Sequence, residues 1–328
     1  MVRTQNRDPL LHGVHVSIDQ LVNLRLAASR LDLSSTRTPR TASTGGYFSR
    51  FRGRGMEFEE SRTYLAGDDI RTMDWKVTAR TGQPHTKVFR EERERPVLMV
   101  VDFRSTMFFG TRVSFKSVTA AGATALLSWV AADRGDRVGA LVFSDHQHDE
   151  LRPAGGRTGV LRLLRVLVEK SKPPARVEYH SGSTKRDTGL DHALHRARRV
   201  ARPGSLIFVL SDFYRLGTIA QHHLMRLGVH NDVVLCWITD PLESNPPPPG
   251  RYPVSDGVRR IVLETQALAL IDAYRKRFES QSLLVQSLAG SHGITLITLS
   301  TAEDIVTGLQ RGLAASHFDH SRHLSRQI

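Results

Sequence analysis

The sequence predicts an α/β protein built on a mostly parallel sheet with helices on both faces. Two observations lead there. The apolar runs Val97–Val101, Leu206–Leu210 and Val233–Ile238 have the length and density of strands buried on both sides, and amphipathic helical patterns alternate with them. The first run is followed at once by Asp102 and the second by Ser211 and Asp212. Ligand chemistry in such sheets sits at the carboxyl ends of strands, so Asp102 and Asp212 are the first candidate site residues.

Residues 1–13 read as an irregular lead-in. Ser17 and Gln20 then form a capping box, and Ile18, Leu21, Val22 and Leu26 recur at helical spacing to about Leu31. From Asp32 to Arg54 the chain is rich in Ser, Thr, Gly and Arg, which predicts a basic linker or a loop ordered only by contact. Residues 56–64 alternate as a strand, Gly67-Asp68 makes a turn, and Thr86–Arg93 forms a second strand. Between them Arg62, Asp68, Asp69, Arg71, Asp74 and Arg80 are mixed with Phe58, Tyr64, Trp75 and Phe89. Opposite charges so interleaved with aromatics predict a folded, β-rich cap subdomain cross-linked by salt bridges.

After Asp102 a helix begins near Ser114, with Phe115, Val118, Ala125 and Trp129 on one face and Gly135 beyond its end. A strand follows at Arg137–Phe143, then a short polar strand at His148–Arg152. A turn through Pro153–Gly156 leads to a helix at Val160–Lys170 and the loop Ser171–Asp187. The next helix carries Leu190, Ala193, Leu194, Ala197 and Val200 on its buried stripe. Beyond Asp212 come a helix over Ile219–Leu227 stopped by Gly228, the strand Val233–Ile238, the Pro246–Gly250 loop and a hairpin-like segment to Leu263. A long helix over Ala267–Ala289, a strand at Ile294–Leu299 and a capped helix from Ala302 complete the pattern. The expected division is a helix, linker and cap over 1–95, the α/β domain over 96–315, and a basic flexible tail over 316–328.

Composition bounds the function. The chain has 328 residues, 40% of them hydrophobic, and no run approaches the ~18 apolar residues that span a bilayer. Its first thirteen residues lack the apolar stretch of a signal peptide, so a soluble cytoplasmic protein is expected. Cys236, the single cysteine, lies in an apolar run and reads as a core residue. The net charge is +13, and between Leu151 and Gly204 basic residues outnumber acidic ones by thirteen to four. That excess favours an acidic partner such as a protein face, nucleic acid or a membrane surface, unless it is only the solvated faces of helices.

Catalytic motifs fail on inspection. Ser181–Lys185 has the composition of a phosphate-binding loop but not its order, and no His-Glu-x-x-His occurs. His146 and His148, with Asp149 beside them, would share a strand face but lack a third and fourth zinc ligand. His317, His320 and His323 fall in the basic tail and read as solvated.

A resemblance then becomes specific. The combination of Phe58, Arg62, Tyr64, Gly67-Asp68, Arg71, Asp74-Trp75 and Ala79-Arg80, followed by a strand and the turn Asp102-x-x-x-Thr106-Met107, closely resembles the domain of unknown function 58 family. The rest of the chain, about Val97 to Leu313, is similar to the von Willebrand factor A-type domain associated with that family. The resemblance implies a six-stranded, doubly wound, Rossmann-like sheet and a metal-ion-dependent adhesion site for Mg²⁺. By position, Asp102 matches its first carboxylate, Thr106 its second hydroxyl, Thr188 the Thr of its second loop and Asp212 the Asp of its third. Arg104 stands where the first hydroxyl belongs. Mg²⁺ requires oxygen ligands at about 2.0–2.1 Å, whereas a guanidinium supplies only donors and a repelling charge. Pointing inward, Arg104 takes the metal's place between Asp102 and Asp212; pointing outward, it leaves Ser105 as a partial substitute.

Two classes of function follow. One is a non-enzymatic interaction adaptor, for which the resemblance implies a MoxR-type AAA+ ATPase as partner, in the assembly or maturation of other proteins. A basic face there suits an acidic surface on the partner. The other is a metal-dependent, phosphate-directed enzyme or a nucleic-acid binder. Against catalysis, Asp102 and Asp212 lack a visible third acidic ligand. Against nucleic acid, the basic residues are not interleaved with aromatics outside Tyr47–Phe51.

Overall fold

Ser17 opens the first helix in the way the capping box predicts: its hydroxyl accepts from the Gln20 N–H while the Gln20 side chain accepts from the Ser17 N–H. The computed structural model describes residues 11–33, 56–65, 68–91, 95–173, 189–255 and 260–324. The chain divides into two units, Pro39–Glu94 and the combination of Met1–Thr38 with Arg95–Ile328. The linker 32–54 lies almost wholly outside the described residues.

In the larger unit, helix α1 (Ile18–Asn23) meets α2 (Arg25–Ala28) at Leu24. There the Ala27 N–H bonds the Leu24 carbonyl three residues back, a tightened turn that shifts the buried stripe. Leu21, Leu24, Ala27, Ala28 and Leu31 are therefore inside, and Leu26, expected inside, is 83% exposed. These helices do not belong with the β-rich unit as the division at residue 95 supposed. They pack on the main helix of the α/β core, where the Trp129 indole N–H donates to the Leu21 carbonyl at 3.1 Å.

The smaller unit pairs β1 (Met56–Thr63) with β2 (His85–Glu91) in an antiparallel hairpin, with helix α3 (Trp75–Thr81) between them in sequence. Asp74 caps α3, and Gly82, in the left-handed region at φ 71°, ends it.

The α/β core begins with β3 (Pro96–Asp102) and continues through α4 (Lys116–Asp133), β4 (Arg137–Phe143), β5 (His148–Gly155) and α5 (Gly156–Lys170). Next come α6 (Gly189–Val200), β6 (Leu206–Ser211), α7 (Thr218–His230), β7 (Asp232–Thr239) and the short α8 (Pro241–Ser244). A hairpin of β8 (Arg251–Ser255) and β9 (Arg260–Glu264) precedes α9 (Leu268–His292), β10 (Thr295–Ser300) and α10 (Ile305–Leu324).

The central sheet has six strands in the order β10-β7-β6-β3-β4-β5, all neighbours parallel except β4 and β5. Alternate residues of β3 serve opposite faces: Val97, Met99 and Val101 pack with α1, α2, α4, α5 and α10, while Leu98 and Val100 pack with α6, α7 and α9. That is why the strands read as unbroken apolar runs. Helix α4 is buried along nearly its whole length because the sheet, α5, α10 and the N-terminal helices all cover it.

Several expected boundaries move. Residues 153–155 extend β5 instead of turning, because the antiparallel edge carries a bulge between Val138 and Ala140, where a Cβ on Gly139 would meet the Pro153 ring at 2.9 Å. Helix α7 runs through the buried Gly228 to His230 and ends only where Asn231 turns extended. Helix α10 continues to Leu324, across most of the stretch read as a flexible tail.

Candidate functional site

Three parallel strands, β3, β6 and β7, deliver a carboxylate at or just past their carboxyl ends: Asp102, Asp212 and Asp240. All three are buried, at 0%, 3% and 1% exposure. A buried carboxylate is stable only when donors surround it, and the surrounding turns supply them.

Asp102 faces Arg104. The Arg104 backbone N–H donates to Oδ1 at 2.8 Å, its Nε lies 3.1 and 3.0 Å from the two carboxylate oxygens, and its Nη2 donates to Oδ2 at 2.8 Å. The Ser211 hydroxyl donates to the same Oδ2 at 2.6 Å and itself accepts from the Phe213 N–H. Arg104 reaches onward, with Nη2 3.4 Å from Asp212 Oδ1 and Nη1 3.4 Å from the Tyr214 carbonyl. The guanidinium thus lies between the two carboxylates.

Asp212 has a second cation. Lys116, the first residue of α4, donates from Nζ to Asp212 Oδ2 at 2.8 Å and to Glu243 Oε1 at 2.7 Å. The other Asp212 oxygen accepts from the Tyr214 N–H at 2.9 Å. Glu243 spends its second oxygen on the Asp240 N–H, closing the capping box of α8. Asp240 accepts from the Thr111 N–H and hydroxyl, the Thr301 hydroxyl and the Leu242 N–H. Three carboxylates, Asp102, Asp212 and Glu243, therefore share two cations, Arg104 and Lys116.

The titrations follow from this geometry. Burial, and then the charge of Asp212, push the Asp102 carboxyl above its ordinary range against the pull of Arg104. Burial also pushes on Asp212, but Lys116 and Arg104 outweigh it and hold that carboxyl below its ordinary range. Burial works against the Lys116 ammonium, yet Asp212 and Glu243 raise its pKa overall.

The residues present do not fit a Mg²⁺ ion. Both Asp102 oxygens take guanidinium donors, and both Asp212 oxygens are engaged by Lys116 and a backbone N–H. Magnesium would have to displace two fixed cations to obtain its oxygen ligands. Arg104 points inward; Ser105 instead donates from its N–H and hydroxyl to Asp145 at 2.9 and 3.4 Å. Thr106 sits in the turn Ser105–Met107 with its hydroxyl oxygen buried and without a hydrogen-bond partner. Thr188 lies outside the described residues. Among the described residues no group of three His, Cys, Asp or Glu is arranged to hold a metal.

The cluster opens onto a pocket of about 210 Å³ lined by Tyr214, Trp237, Tyr274 and Phe278 together with the polar groups of Asp212, Glu243, Arg277 and Gln281. Trp237 and Phe278 stack at 5.5 Å, and the Tyr274 hydroxyl donates to the Leu242 carbonyl at 2.7 Å.

Among the described residues, the charged side chains of the smaller unit do not form the expected network. Arg62 pairs with Asp68 at 2.7 Å, and the other Asp68 oxygen accepts from the Leu65 N–H. Asp69 caps a short turn through the Arg71 N–H. Asp74 spends one oxygen on the Lys76 and Val77 N–H groups and the other on the Ser61 hydroxyl, so a helix cap has taken the place of an ion pair. Arg71 and Arg80 are exposed and make no ion pair among the described residues; Trp75 is 67% exposed.

Lys116, Glu243 and Asp240 were not among the residues picked from sequence. Two signals pointed to them. A lysine at a helix N-terminus sits at the unfavourable end of the helix dipole and calls for a carboxylate, and Asp240-Pro-Leu-Glu243 is a capping box directly after a strand.

A model of the family described as "Protein of unknown function DUF58" matches residues 60–286. Uncharacterized proteins of Mycobacterium bovis and Mycobacterium tuberculosis are each 28% identical over 282 residues, covering 83% of this chain and 86% of theirs. Among solved structures, the conserved hypothetical protein BatB from Bacteroides thetaiotaomicron aligns with a TM-score of 0.41 at 15% identity, covering 68% of this chain and 98% of that one.

Proposed function

The chain belongs to the DUF58 family, and from that premise we propose that it is a non-enzymatic protein-interaction adaptor. In this reading the larger unit is a von Willebrand factor A-like domain whose adhesion site has become a metal-free charge cluster. The adaptor works with a MoxR-type AAA+ ATPase in the assembly or maturation of other proteins, and the need for ATP implies the cytoplasm as its place of action.

One observation carries the reading: Arg104, 1% exposed, lies between Asp102 and Asp212, where a divalent ion would otherwise join them. A buried ion cluster rarely stabilises a fold beyond what packed apolar side chains would contribute. Its use is to hold three strand-end turns in one geometry, which a docking face requires. The same saturation argues against catalysis by Asp102 and Asp212, since both are buried and already accept from fixed donors.

Two measurements test it. Calorimetric titration with Mg²⁺ and Mn²⁺ should give no binding heat; stoichiometric binding to the unaltered protein overturns the metal-free site. Size-exclusion chromatography with the MoxR-type ATPases of its own organism, with and without nucleotide, should give co-elution with one of them. Failure with all of them removes the proposed partner.

A further inference from the structure

The turn after β6 is held in an uncommon backbone conformation. Phe213 and Arg215 both lie in the left-handed region, at φ 50° and 54°, which side chains with a Cβ adopt only when their surroundings force them. The charge cluster supplies the force. Asp212 Oδ1 takes the Tyr214 N–H, Ser211 Oγ takes the Phe213 N–H, and the Asp212 carbonyl accepts from Trp237 Nε1 at 3.1 Å and Gln281 Nε2 at 2.8 Å. Phe213 is fully buried.

What this turn presents is Tyr214. The guanidinium carbons of Arg215 and Arg277 lie over its ring at 5.4 and 5.3 Å, and Arg277 Nη2 also donates to its hydroxyl. Among the described residues neither arginine has a carboxylate partner. Arg277 and Tyr214 also line the aromatic pocket, where Trp237 and Phe278 form an apolar wall, and Arg215 reaches the site through its contact with the Tyr214 ring. Asp212 and Glu243 also line the pocket, but Lys116 already holds both, so the charge left without a partner there is positive.

We propose that this pocket is the docking site for an acidic side chain offered by a partner protein. Its carboxylate would lie on the Arg277 and Arg215 guanidiniums, and its stem and neighbouring apolar residue would lie against Phe278 and Trp237. The site deepens the adaptor reading and rests on it. Strained backbone, spare guanidiniums and an apolar wall meet at one place, and planar guanidinium forks match carboxylates in geometry as well as charge.

The probe is the capped dipeptide acetyl-Phe-Glu-amide against its Gln counterpart, followed by NMR of the Trp237 indole and Tyr214 ring signals at low salt. The Glu peptide should bind about tenfold more tightly than the Gln peptide, with the preference shrinking as salt rises. Arg277→Ala, at an exposed helix position where folding is checked by circular dichroism, should erase the preference, and Arg277→Lys should keep part of it. Equal binding of the two peptides, an unchanged preference in Arg277→Ala, or no response at millimolar peptide each overturns the proposal. Peptide discrimination without ATPase co-elution keeps the pocket and removes the ATPase. Co-elution undiminished by Arg277→Ala, with no discrimination, keeps the adaptor and removes the pocket.

Discussion

The two units of this protein use the same charged residue types in opposite ways. In the larger unit Arg104 and Lys116 are among the most deeply buried large side chains, and each bridges two carboxylates. In the smaller unit Arg71 and Arg80 stand in solvent, and Asp69 and Asp74 serve backbone N–H groups at the starts of helical turns. Removing a member of the first set leaves a charge stranded in a dry interior. In the second set Arg71, Arg80 and Asp69 are exposed, and even Asp74, 7% exposed, leaves behind only uncharged N–H and hydroxyl groups of half-buried or exposed residues. Burial rather than charge count therefore decides what these residues contribute.

The sharpest way to break that contrast is Lys116→Ala. It leaves Asp212 and Glu243 facing each other without their shared ammonium, and the expected loss is about 3–5 kcal/mol of unfolding free energy in urea titration. A loss below about 1 kcal/mol would mean that water reaches the cluster. Lys116→Met combined with Asp212→Asn should cost less than Lys116→Met alone, because the harm comes from the stranded charge rather than from the missing contact.

Arg104→Ser should be nearly as destabilising, by about 3 kcal/mol, for the same reason. It has a second consequence that Lys116→Ala lacks. With the guanidinium gone, Asp102, the new hydroxyl and the unpartnered Thr106 oxygen leave oxygen ligands without an occupant. The variant should therefore be rescued by Mg²⁺, by about 2.7 kcal/mol at a hundred times its dissociation constant, while the unaltered protein melts at the same temperature with or without the ion. Equal indifference to Mg²⁺ in both would show that Arg104 does not stand in for a metal.

The cluster also sets the pH dependence, with opposite signs for its members. The Asp212 carboxyl is held below its ordinary 3.8, so its contribution is present above that pH and is lost as the pH falls through its lower folded value. The pKa of Lys116 is raised above 10.5, so its contribution is present below that pH and is lost as the pH rises through its higher folded value. Asp102 runs the other way: its pKa is raised above 3.8, so the folded protein binds that proton more tightly and gains stability as the pH drops through the window from its higher folded value toward 3.8. In acid unfolding curves, Asp212→Asn should flatten the loss below that window, and Asp102→Asn should make the loss begin at a higher pH.

Much of the larger unit is legible in the sequence. The apolar runs marked β3, β6 and β7, and Asp102, Arg104 and Asp212 stood out because two strands end in carboxylates and a cation interrupts the turn after the first. The direction of β5 was not legible, since alternation at His148–Arg152 marks a strand but not which way its neighbour runs. Lys116 was missed because a lysine opening a helix reads as solvent-facing, and only three-dimensional cover over α4 turns it inward. Gly228 misled because a glycine in helical conformation looks in sequence like one that ends a helix. In the smaller unit the charged positions were found but not their work. Trp75–Thr81 has no apolar stripe, so α3 is announced only by Asp74 before it and Gly82 after it.

The smallest effects belong to that unit, and they test whether its charges matter through caps or through ion pairs. Asp74 satisfies two N–H groups of α3 and the Ser61 hydroxyl of β1. Asp74→Ala should make the segment between residues 56 and 91 more susceptible to limited proteolysis, while Asp74→Asn, which keeps an accepting oxygen, should be close to the unaltered protein. Arg71→Ala and Arg80→Ala should stay within about 0.5 kcal/mol of it, because each removes a solvated cation without a carboxylate partner among the described residues. Were Arg80→Ala to open the segment as readily as Asp74→Ala, the role assigned here to the cap would pass to an ion pair, and the contrast between the two units would disappear.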